Sequence, residues 1–284
     1  MNDVIMLTPA DVRSLAARAE VIPTKKLGQN FVVDANTVRK IVATAGVKQG
    51  DVVLEVGPGL GSLTLGLFEA GAHVDAVEID RRLARELPST VGARAKGAKL
   101  CVINEDAMQV TELPHEPLRL VANLPYNVSV PILIHLLENF ASLQTGLVMV
   151  QSEVGERLAA SPGTKIYGGP SVKAAWFGKW WVAGKVSRQV FWPVPNVDSV
   201  LVAFERHPEP GNLELRERTF ELVDAAFGQR RKMLRQSLAL PFGSSAAAEA
   251  ALLTAGIAPT DRGERLTVVD FIRLASVWLD SETS

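Results

Sequence analysis

The sequence predicts an α/β fold, in which a doubly wound, mostly parallel sheet is followed by a small C-terminal helical domain. Apolar runs of strand length alternate with helical segments from residue 51 to residue 150, and repeated β-α units form parallel sheets covered on both faces. The 284 residues, 47% of them hydrophobic, allow one sizeable core plus a smaller unit. Beyond residue 212 the apolar spacing is helical throughout.

Composition limits the class of protein. No apolar run has the length of a membrane span and the N-terminus lacks a signal-peptide pattern, which predicts a cytoplasmic protein. The single cysteine, Cys101, excludes an internal disulfide framework and is interpreted as a core residue. Four scattered histidines give no ligand-like spacing, so no metal site is expected. Because the formal net charge is -1, a nucleic-acid-binding surface would have to be a local patch.

The first 22 residues are interpreted as an N-terminal extension. Thr8 and Pro9 predict the start of a short helix within it. A basic and polar loop, residues 23–31, follows and precedes a predicted helix over residues 36–44. The loop is either a solvated connection or, because it lies just ahead of the core, a lid.

Strands and helices then alternate. The predicted strands are Val52–Val56, 73–79, Leu100–Ile103, 118–122 and 146–150, and the predicted helices begin at residue 63 and span 81–87 and 131–137. Two later strands, 182–190 and 200–204, are joined by a proline-rich turn at 192–195, and we expect them to form an antiparallel edge.

Three domains are predicted from these patterns. Residues 1–22 form the extension, residues 23–207 the sheet domain, and residues 212–284 the helical domain, after a linker rich in proline and glycine. Within the last domain helices are expected over residues 215–227, 229–240, 246–255 and 267–279.

A glycine turn follows the first strand of the sheet, in the run Glu55-Val56-Gly57-Pro58-Gly59-Leu60-Gly61. Glycines at alternate positions allow a sharp turn and bring a ligand against the backbone. The spacing departs from G-x-G-x-x-G, and a proline separates the first two glycines, which argues against a bound pyrophosphate.

Two acidic residues follow the next two strands. Glu78 comes 21 residues after Gly57, about where an acid receives ribose hydroxyls in nucleotide-binding folds. Asp106 follows the third strand and can accept from an adenine amino group. Either acid alone is more simply a solvated turn residue, but their common position at successive strand ends favours an adenosine-bearing cofactor.

A polar and aromatic turn follows the strand at 118–122, in the run Asn123-Leu124-Pro125-Tyr126. The amide of Asn123 matches the hydrogen-bonding edge of adenine, and Pro125 stiffens the turn that carries the ring of Tyr126. These features suggest a pocket for an unstacked purine. Without the other motifs, an ordinary turn with Tyr126 packed on the core would be the preferred interpretation.

The sequence resembles the ribosomal RNA adenine N6-dimethyltransferases, over about residues 23–240. The motifs that carry the resemblance occur in family order: KLGQNF at 26–31, EVGPGLG at 55–61, VEID at 77–80, DAM at 106–108, NLPYN at 123–127, YG at 167–168 and FWPVPNVDS at 191–199. The resemblance implies a Rossmann-like methyltransferase sheet. It also implies S-adenosylmethionine as methyl donor, held by Asn30, Val32, Gly57, Glu78, Asp106 and Asn123.

The same resemblance assigns the catalytic residues Asn123, Leu124, Tyr126 and Phe191. If the Asn123 side-chain oxygen and the Leu124 carbonyl accept the two hydrogens of the adenine N6 amine, the nitrogen can approach the donor without a strong base. Tyr126 and Phe191 would stack on the two faces of the extruded base. Trp192 stands next to Phe191, and its role is left open.

Four positive charges and no acid occur in the eight residues 229–236. The pattern alone is equally typical of a solvated helix face. In an enzyme that modifies rRNA these cations become phosphate contacts, with two further candidates in the loop before the sheet domain. The predicted RNA-binding residues are therefore Arg230, Arg231, Lys232 and Arg235, and then Lys25 and Lys26.

The resemblance implies N6,N6-dimethylation of two adjacent adenines in the 3′-terminal hairpin of 16S rRNA. The expected substrate is the assembling small ribosomal subunit and the expected state is a monomer. One alternative is a 23S rRNA adenine methylase with the same chemistry. Another is an inactive RNA-binding ribosome assembly or transcription factor of the same fold, which the intact Asn123, Tyr126, Gly57 and Glu78 disfavour. A DNA or small-molecule methylase would leave the basic stretch without a purpose.

Overall fold

The computed structural model describes residues 4–21 and 30–282. The chain divides into two compact units. The first takes the residues up to Gly155 together with Trp181–Arg206, and the second takes Glu156–Trp180 and the residues from His207 onward.

The first unit contains the predicted sheet. Its elements, in chain order, are α1 (Pro9–Arg18), β1 (Phe31–Val32), α2 (Ala35–Thr44), β2 (Val52–Val56), α3 (Ser62–Glu69), β3 (His73–Val77), α4 (Arg81–Arg94), β4 (Leu100–Ile103), β5 (Arg119–Asn123), α5 (Ser129–Asn139) and β6 (Thr145–Gln151). They are followed by α6 (Ser152–Leu158), α7 (Gly169–Phe177), β7 (Gly178–Val186), β8 (Phe191–Trp192) and β9 (Ser199–Arg206). The second unit takes α7, the part of α6 from Glu156 onward and the part of β7 up to Trp180.

The main sheet has seven strands in the order β4-β3-β2-β5-β6-β9-β7. Strands β4, β3, β2, β5 and β6 are parallel, and β9 runs antiparallel to β6. The strand order reverses between β2 and β5, and in open α/β sheets ligands bind beyond the carboxyl ends of the strands at such a reversal. The predicted fold class, a doubly wound and mostly parallel sheet, is confirmed.

The predicted antiparallel edge is right in outline and wrong in detail. Strand β7 lies beside β9, but it ends at Val186, and Arg188–Val190 is a 3-10 turn. The next two residues leave the main sheet and pair with β1 in a separate two-stranded sheet. The motif around Phe191 is therefore tied to the segment that precedes α2.

Helix α1 packs into the core of the first unit. Val12, Leu15 and Ala16 are buried on its inner face, and a capping box between Thr8 and Asp11 fixes its start. The described part of the predicted extension is therefore a component of the first unit's core. The lid predicted for residues 23–31 falls mostly outside the described residues.

The strand interiors supply the rest of this core. Residues of β2, β5 and β6 such as Leu54, Val121 and Val148 are fully buried, as expected for parallel strands covered on both faces. Cys101, predicted to be a core residue, is only half-buried, because β4 is an edge strand. Within the described part of the chain, no helix has the length and apolar character needed to cross a membrane.

The second unit is helical. Besides α7 it contains α8 (Leu213–Gly228), α9 (Leu234–Ser237), α10 (Ser245–Thr254) and α11 (Val268–Glu282). Leu222, Leu252 and Phe271 lie in its core. The unit also takes in Glu156–Trp180, contrary to the prediction that residues 23–207 form the sheet domain. That segment is held by Tyr167, which is buried and donates a hydrogen bond of 2.9 Å to the Leu266 carbonyl oxygen.

The helix predicted over residues 229–240 is wrong. Residues 229–232 form a turn and a bend, and α9 is a single turn of helix. The backbone N–H of Leu234 donates to the Asp261 carbonyl oxygen and that of Arg235 to the Pro259 carbonyl oxygen. These bonds to a distant loop replace the bonds that a continuous helix would need.

Candidate functional site

The glycine turn joins β2 to α3 at the carboxyl edge of the sheet. Gly57, Gly59 and Gly61 all have positive φ, at 68°, 59° and 94°, a region that residues with a side chain rarely adopt. A Cβ at Gly59 would lie 2.9 Å from the ring of Phe31. Glycine is therefore required at this position by both the backbone and the neighbouring ring.

Glu78 follows β3 and turns its carboxylate toward the glycine turn. Its side chain accepts hydrogen bonds from the backbone N–H of Gly59 at 3.1 Å and of Asp80 at 2.9 Å. Burial raises the pKa of Glu78, and the bonds from these backbone groups oppose that shift. The carboxylate is thus oriented before any ligand binds.

Glu55 is a second buried acid, near the carboxyl end of β2. It is 1% exposed and accepts a hydrogen bond of 2.7 Å from the Thr64 hydroxyl. Burial raises its pKa to about 8, although the Thr64 bond lowers it and the charge of Glu78 raises it further. Glu55 is not among the predicted site residues, although an acid inside an otherwise apolar strand could have indicated it.

Asn123 ends β5 on the other side of the strand reversal. Its amide nitrogen donates to the Asn30 carbonyl oxygen at 2.9 Å, which leaves the side-chain oxygen as its acceptor. A Cβ at Gly57 would lie 3.7 Å from the Asn123 carbonyl oxygen, so the glycine turn and the Asn123 turn are close neighbours. Two motifs that are 66 positions apart in sequence meet at one place.

The turn after Asn123 is anchored at both ends. The backbone N–H of Leu124 donates to the Met149 carbonyl oxygen at 3.1 Å, and the Tyr126 and Ser199 hydroxyls are 2.7 Å apart. Burial raises the pKa of Tyr126, and the hydrogen bond with Ser199 opposes that shift. Ser199 is the last residue of the predicted aromatic-proline motif, so this contact fixes the ring of Tyr126 relative to that motif.

The glycine turn, Glu55, Glu78 and Asn123 lie in the wall of one cleft, whose empty space, including its opening to solvent, is about 950 Å³. Its wall includes all six residues predicted to hold the cofactor: Asn30, Val32, Gly57, Glu78, Asp106 and Asn123. Leu124, Tyr126 and Phe191 are not part of that wall. No group of three or more possible metal ligands occurs among the residues that the structure describes.

Phe191 does not present a ring face to the cleft, contrary to the expectation that it stacks on the base. Its pairing with Val32 places it in the hydrophobic core, where it is 2% exposed. Trp192, whose role was left open, stacks on Phe31 with ring centroids 6.4 Å apart. Phe31 does line the cleft, so Trp192 supports a residue of the wall.

The basic residues of the second unit are partly neutralised. Arg230 pairs with Glu264 at 3.2 Å and donates to the Lys165 carbonyl oxygen, and Arg235 pairs with Glu249 at 3.3 Å. Arg231 and Lys232 are exposed. The absence of acids in the local sequence was therefore misleading, because acids from later segments approach two of the four cations. Lys25 and Lys26 lie outside the described residues.

Solved structures place the first unit in a class. A dimethyladenosine transferase from Plasmodium falciparum has the same fold, with a TM-score of 0.72 and 23% identity over 88% of this chain and 97% of that one. The 23S rRNA methyltransferase ErmE gives a TM-score of 0.64 and 28% identity over 87% of this chain and 99% of that one. The sheet has the Rossmann-like methyltransferase fold.

Sequence comparisons give the family. The family model for Ribosomal RNA adenine dimethylase matches residues 23–279. The Ribosomal RNA small subunit methyltransferase A of Leifsonia xyli subsp. xyli is 67% identical over 279 residues, which are 97% of this chain and 100% of the relative. The protein of the same name from Thermobifida fusca is 58% identical over 276 residues, 96% of each chain. The chain belongs to the ribosomal RNA adenine dimethylase family, and the resemblance inferred from the motifs is confirmed.

Proposed function

We propose that this protein transfers methyl groups from S-adenosylmethionine to N6 of two adjacent adenines in the 3′-terminal hairpin of 16S rRNA, giving N6,N6-dimethyladenines. The main structural support is that the six predicted cofactor residues line one cleft beside the turn that begins at Asn123. Support for a small-subunit target comes from the names of the two relatives, whose sequences align with almost the whole chain.

The residues present fit the cofactor. Glu78 is held toward the glycine turn and suits the ribose hydroxyls. Asp106 uses one carboxylate oxygen to accept from the Met108 N–H at 2.9 Å, and its other oxygen is the acceptor we assign to the adenine amino group. When bound, S-adenosylmethionine supplies an electrophilic methyl group on a sulfonium centre.

The turn from Asn123 to Tyr126 performs the positioning step. Because the Asn123 amide nitrogen is held by Asn30, its side-chain oxygen accepts one hydrogen of the adenine N6 amine. The Leu124 carbonyl oxygen accepts the other. Both acceptors are neutral, so the reaction depends on placing the nitrogen in line with the methyl group, rather than on deprotonating it first.

Stacking of the target base falls mainly to Tyr126 in this account. Its hydroxyl is held by Ser199, which fixes the ring while leaving the residue half-buried. A role for Phe191 requires the β1–β8 pair to shift, because its ring is buried as the structure stands. Base-aromatic stacking contributes about 1–3 kcal/mol per base.

Contacts with rRNA phosphates are assigned first to Arg231 and Lys232, because both are exposed. Arg230 and Arg235 would have to exchange their acidic partners for phosphate. We retain Lys25 and Lys26 as further candidates on the sequence alone. A monomer acting on the assembling small subunit in the cytoplasm remains our working arrangement.

A 23S rRNA target is the second candidate, since ErmE shares the fold at 28% identity. The two candidates are separated by supplying labelled S-adenosylmethionine with small subunits, or with large-subunit rRNA, each lacking dimethyladenine. We expect label in the small subunit only. Label in the large-subunit rRNA alone would favour the second candidate. Binding of both cofactor and RNA without transfer would indicate an inactive assembly factor.

A further inference from the structure

Ser62 carries a buried hydroxyl that the protein leaves unsatisfied. The residue is 8% exposed and forms part of the cleft wall. Across residues 4–21 and 30–282, its Oγ is one of only two buried side-chain polar atoms without a hydrogen-bond partner. Buried polar groups nearly always have partners, so this atom points to a bound molecule that completes it.

Ser62 is also the first residue of α3, an eight-residue helix. The preceding Gly61 has no side chain and gives the helix no side-chain cap. The Thr64 hydroxyl, three positions along from Gly61, is directed to Glu55 instead. The first N–H groups of α3 therefore carry the partial positive charge of a helix start, which favours an anion.

The order of the strands indicates which part of the cofactor reaches this helix. Asp106, assigned to adenine, follows β4; Glu78, assigned to ribose, follows β3; and the glycine turn with Ser62 follows β2. Neighbouring strands are about 4.8 Å apart. A cofactor laid across these three strand ends places its methionine portion, which carries its only carboxylate, at α3.

We propose that the Ser62 hydroxyl donates a hydrogen bond to the carboxylate of the methionine portion of S-adenosylmethionine, together with the first backbone N–H groups of α3. The inference rests on the proposed cofactor and adds a residue that the sequence motifs did not single out. It makes Ser62 a cofactor-positioning residue, since the placement of that carboxylate determines where the methyl group sits relative to Asn123.

Glu55 is the acid that could oppose this arrangement. It lies in the same wall, and an ionised carboxylate there would repel the carboxylate of the cofactor. Because burial raises the pKa of Glu55 to about 8, the side chain is mainly protonated at neutral pH. The neutral form is compatible with a carboxylate at α3.

The test compares three ligands by calorimetry. S-adenosylmethionine has the carboxylate, its decarboxylated form lacks only that group, and 5′-methylthioadenosine lacks the whole aminocarboxypropyl chain and the sulfonium charge. For the Ser62→Ala variant we expect affinity for S-adenosylmethionine to fall about tenfold, as for loss of a charge-assisted hydrogen bond. Affinities for the two other ligands should not change.

The control is Ser237→Ala, which removes a buried hydroxyl that already donates within the second unit, to the Leu234 carbonyl oxygen. It should leave all three affinities unchanged. An unchanged affinity of Ser62→Ala for S-adenosylmethionine would overturn the role of Ser62, and so would an equal fall for the decarboxylated ligand. If the wild-type protein bound none of the three, the cofactor assignment itself would fail.

Discussion

Glu78 is the residue on which the cofactor site most depends. Its buried carboxylate is already oriented by the Gly59 and Asp80 backbone N–H groups. Removing a charged acceptor that ribose hydroxyls use costs about 1.5–3 kcal/mol, or roughly 10- to 100-fold in affinity. We therefore expect Glu78→Ala to weaken S-adenosylmethionine binding by that factor in calorimetry.

An exposed acid of the same unit supplies the control for Glu78. Glu112 is exposed and is not in the cleft wall, so Glu112→Ala should bind the cofactor as the wild type does. If Glu78→Ala bound S-adenosylmethionine as tightly as Glu112→Ala, the assignment of Glu78 to the ribose hydroxyls would be wrong.

Glu55 makes the stability of the fold depend on pH. Its pKa is about 8 in the folded protein, compared with the ordinary value of 4.5 that applies to the unfolded chain. Between these values the folded state holds a proton that the unfolded state has released, so the free energy of unfolding falls by about 1.4 kcal/mol per pH unit. This contribution is complete below pH 4.5 and is lost as the pH rises through 8.

The Glu55→Gln variant tests that dependence, because glutamine can still accept from Thr64 and does not titrate. We expect its free energy of unfolding to fall less steeply than that of the wild type between about pH 5 and 8, in denaturant titrations. Glu78, whose pKa is also raised, keeps a slope of the same sign in the variant. Parallel curves would show that Glu55 does not hold a proton in the folded state.

The glycine turn is the element that brings the backbone to the cofactor. Gly59→Ala places a Cβ 2.9 Å from the Phe31 ring at a φ of 59°. We expect a loss of stability of at least about 1–2 kcal/mol from the backbone conformation alone, and a fall in cofactor affinity because Phe31 lines the cleft.

Gly97 provides a matched control for this turn. Its φ is 75°, and a Cβ there meets nothing within 4 Å. Gly97→Ala should therefore lose a similar free energy of unfolding and retain full cofactor affinity. If both variants bound the cofactor normally, the glycine turn would not be the backbone contact we assign.

The exposed pair Arg231 and Lys232 is the segment that we expect to bind phosphate. Neutralising both residues to alanine should weaken rRNA binding and lower the slope of log K against log salt by about 0.7–0.9 for each phosphate that the protein no longer neutralises. Cofactor affinity should not change. Filter binding at several salt concentrations measures the slope.

The paired variant Lys96→Ala with Lys99→Ala removes the same charge from exposed positions of the first unit. Its slope should match that of the wild type. Identical slopes for all three proteins would mean that the segment 229–236 is a solvated surface that does not bind phosphate.

At the level of elements, the sequence predicts best where packing follows a simple period. Strands β2 and β4 have the predicted bounds, Val52–Val56 and Leu100–Ile103, because a short, mostly apolar run bounded by turn residues is typical of a strand. The segment 229–240 fails because tertiary hydrogen bonds to the loop at 259–261 override its helical spacing. Local pattern contains no information on such distant partners.

For the whole molecule, the sequence predicts a sheet unit followed by a helical one. It does not predict that the chain first enters the helical unit between Glu156 and Trp180 and then goes back to the sheet unit. Helix α7 is short and its start is capped by glycine, so its pattern is weak. What fixes the segment is the buried hydroxyl of Tyr167 bonded to Leu266, 99 residues away. The same limit explains Phe191, whose burial follows from pairing with Val32 and not from its motif.

The candidate cofactor site was more predictable than the stacking site. Four of its six residues, Gly57, Glu78, Asp106 and Asn123, lie at the carboxyl ends of parallel strands, and these ends meet at one edge of a sheet. Ser62 was not predicted, because a serine after a glycine turn has no distinctive pattern until its burial is known.

The Asn123 turn is central to the proposed function, because it positions adenine N6 for two successive methyl transfers. The most direct measurement supplies unmethylated small subunits with saturating labelled S-adenosylmethionine, and then identifies the modified nucleosides and their positions for the wild type and Asn123→Ala. We expect N6,N6-dimethyladenine at two adjacent adenines of the 3′-terminal hairpin with the wild type. We expect none with the variant, although it still binds the subunit. Wild-type levels of product from Asn123→Ala, or label on another base, would contradict the account.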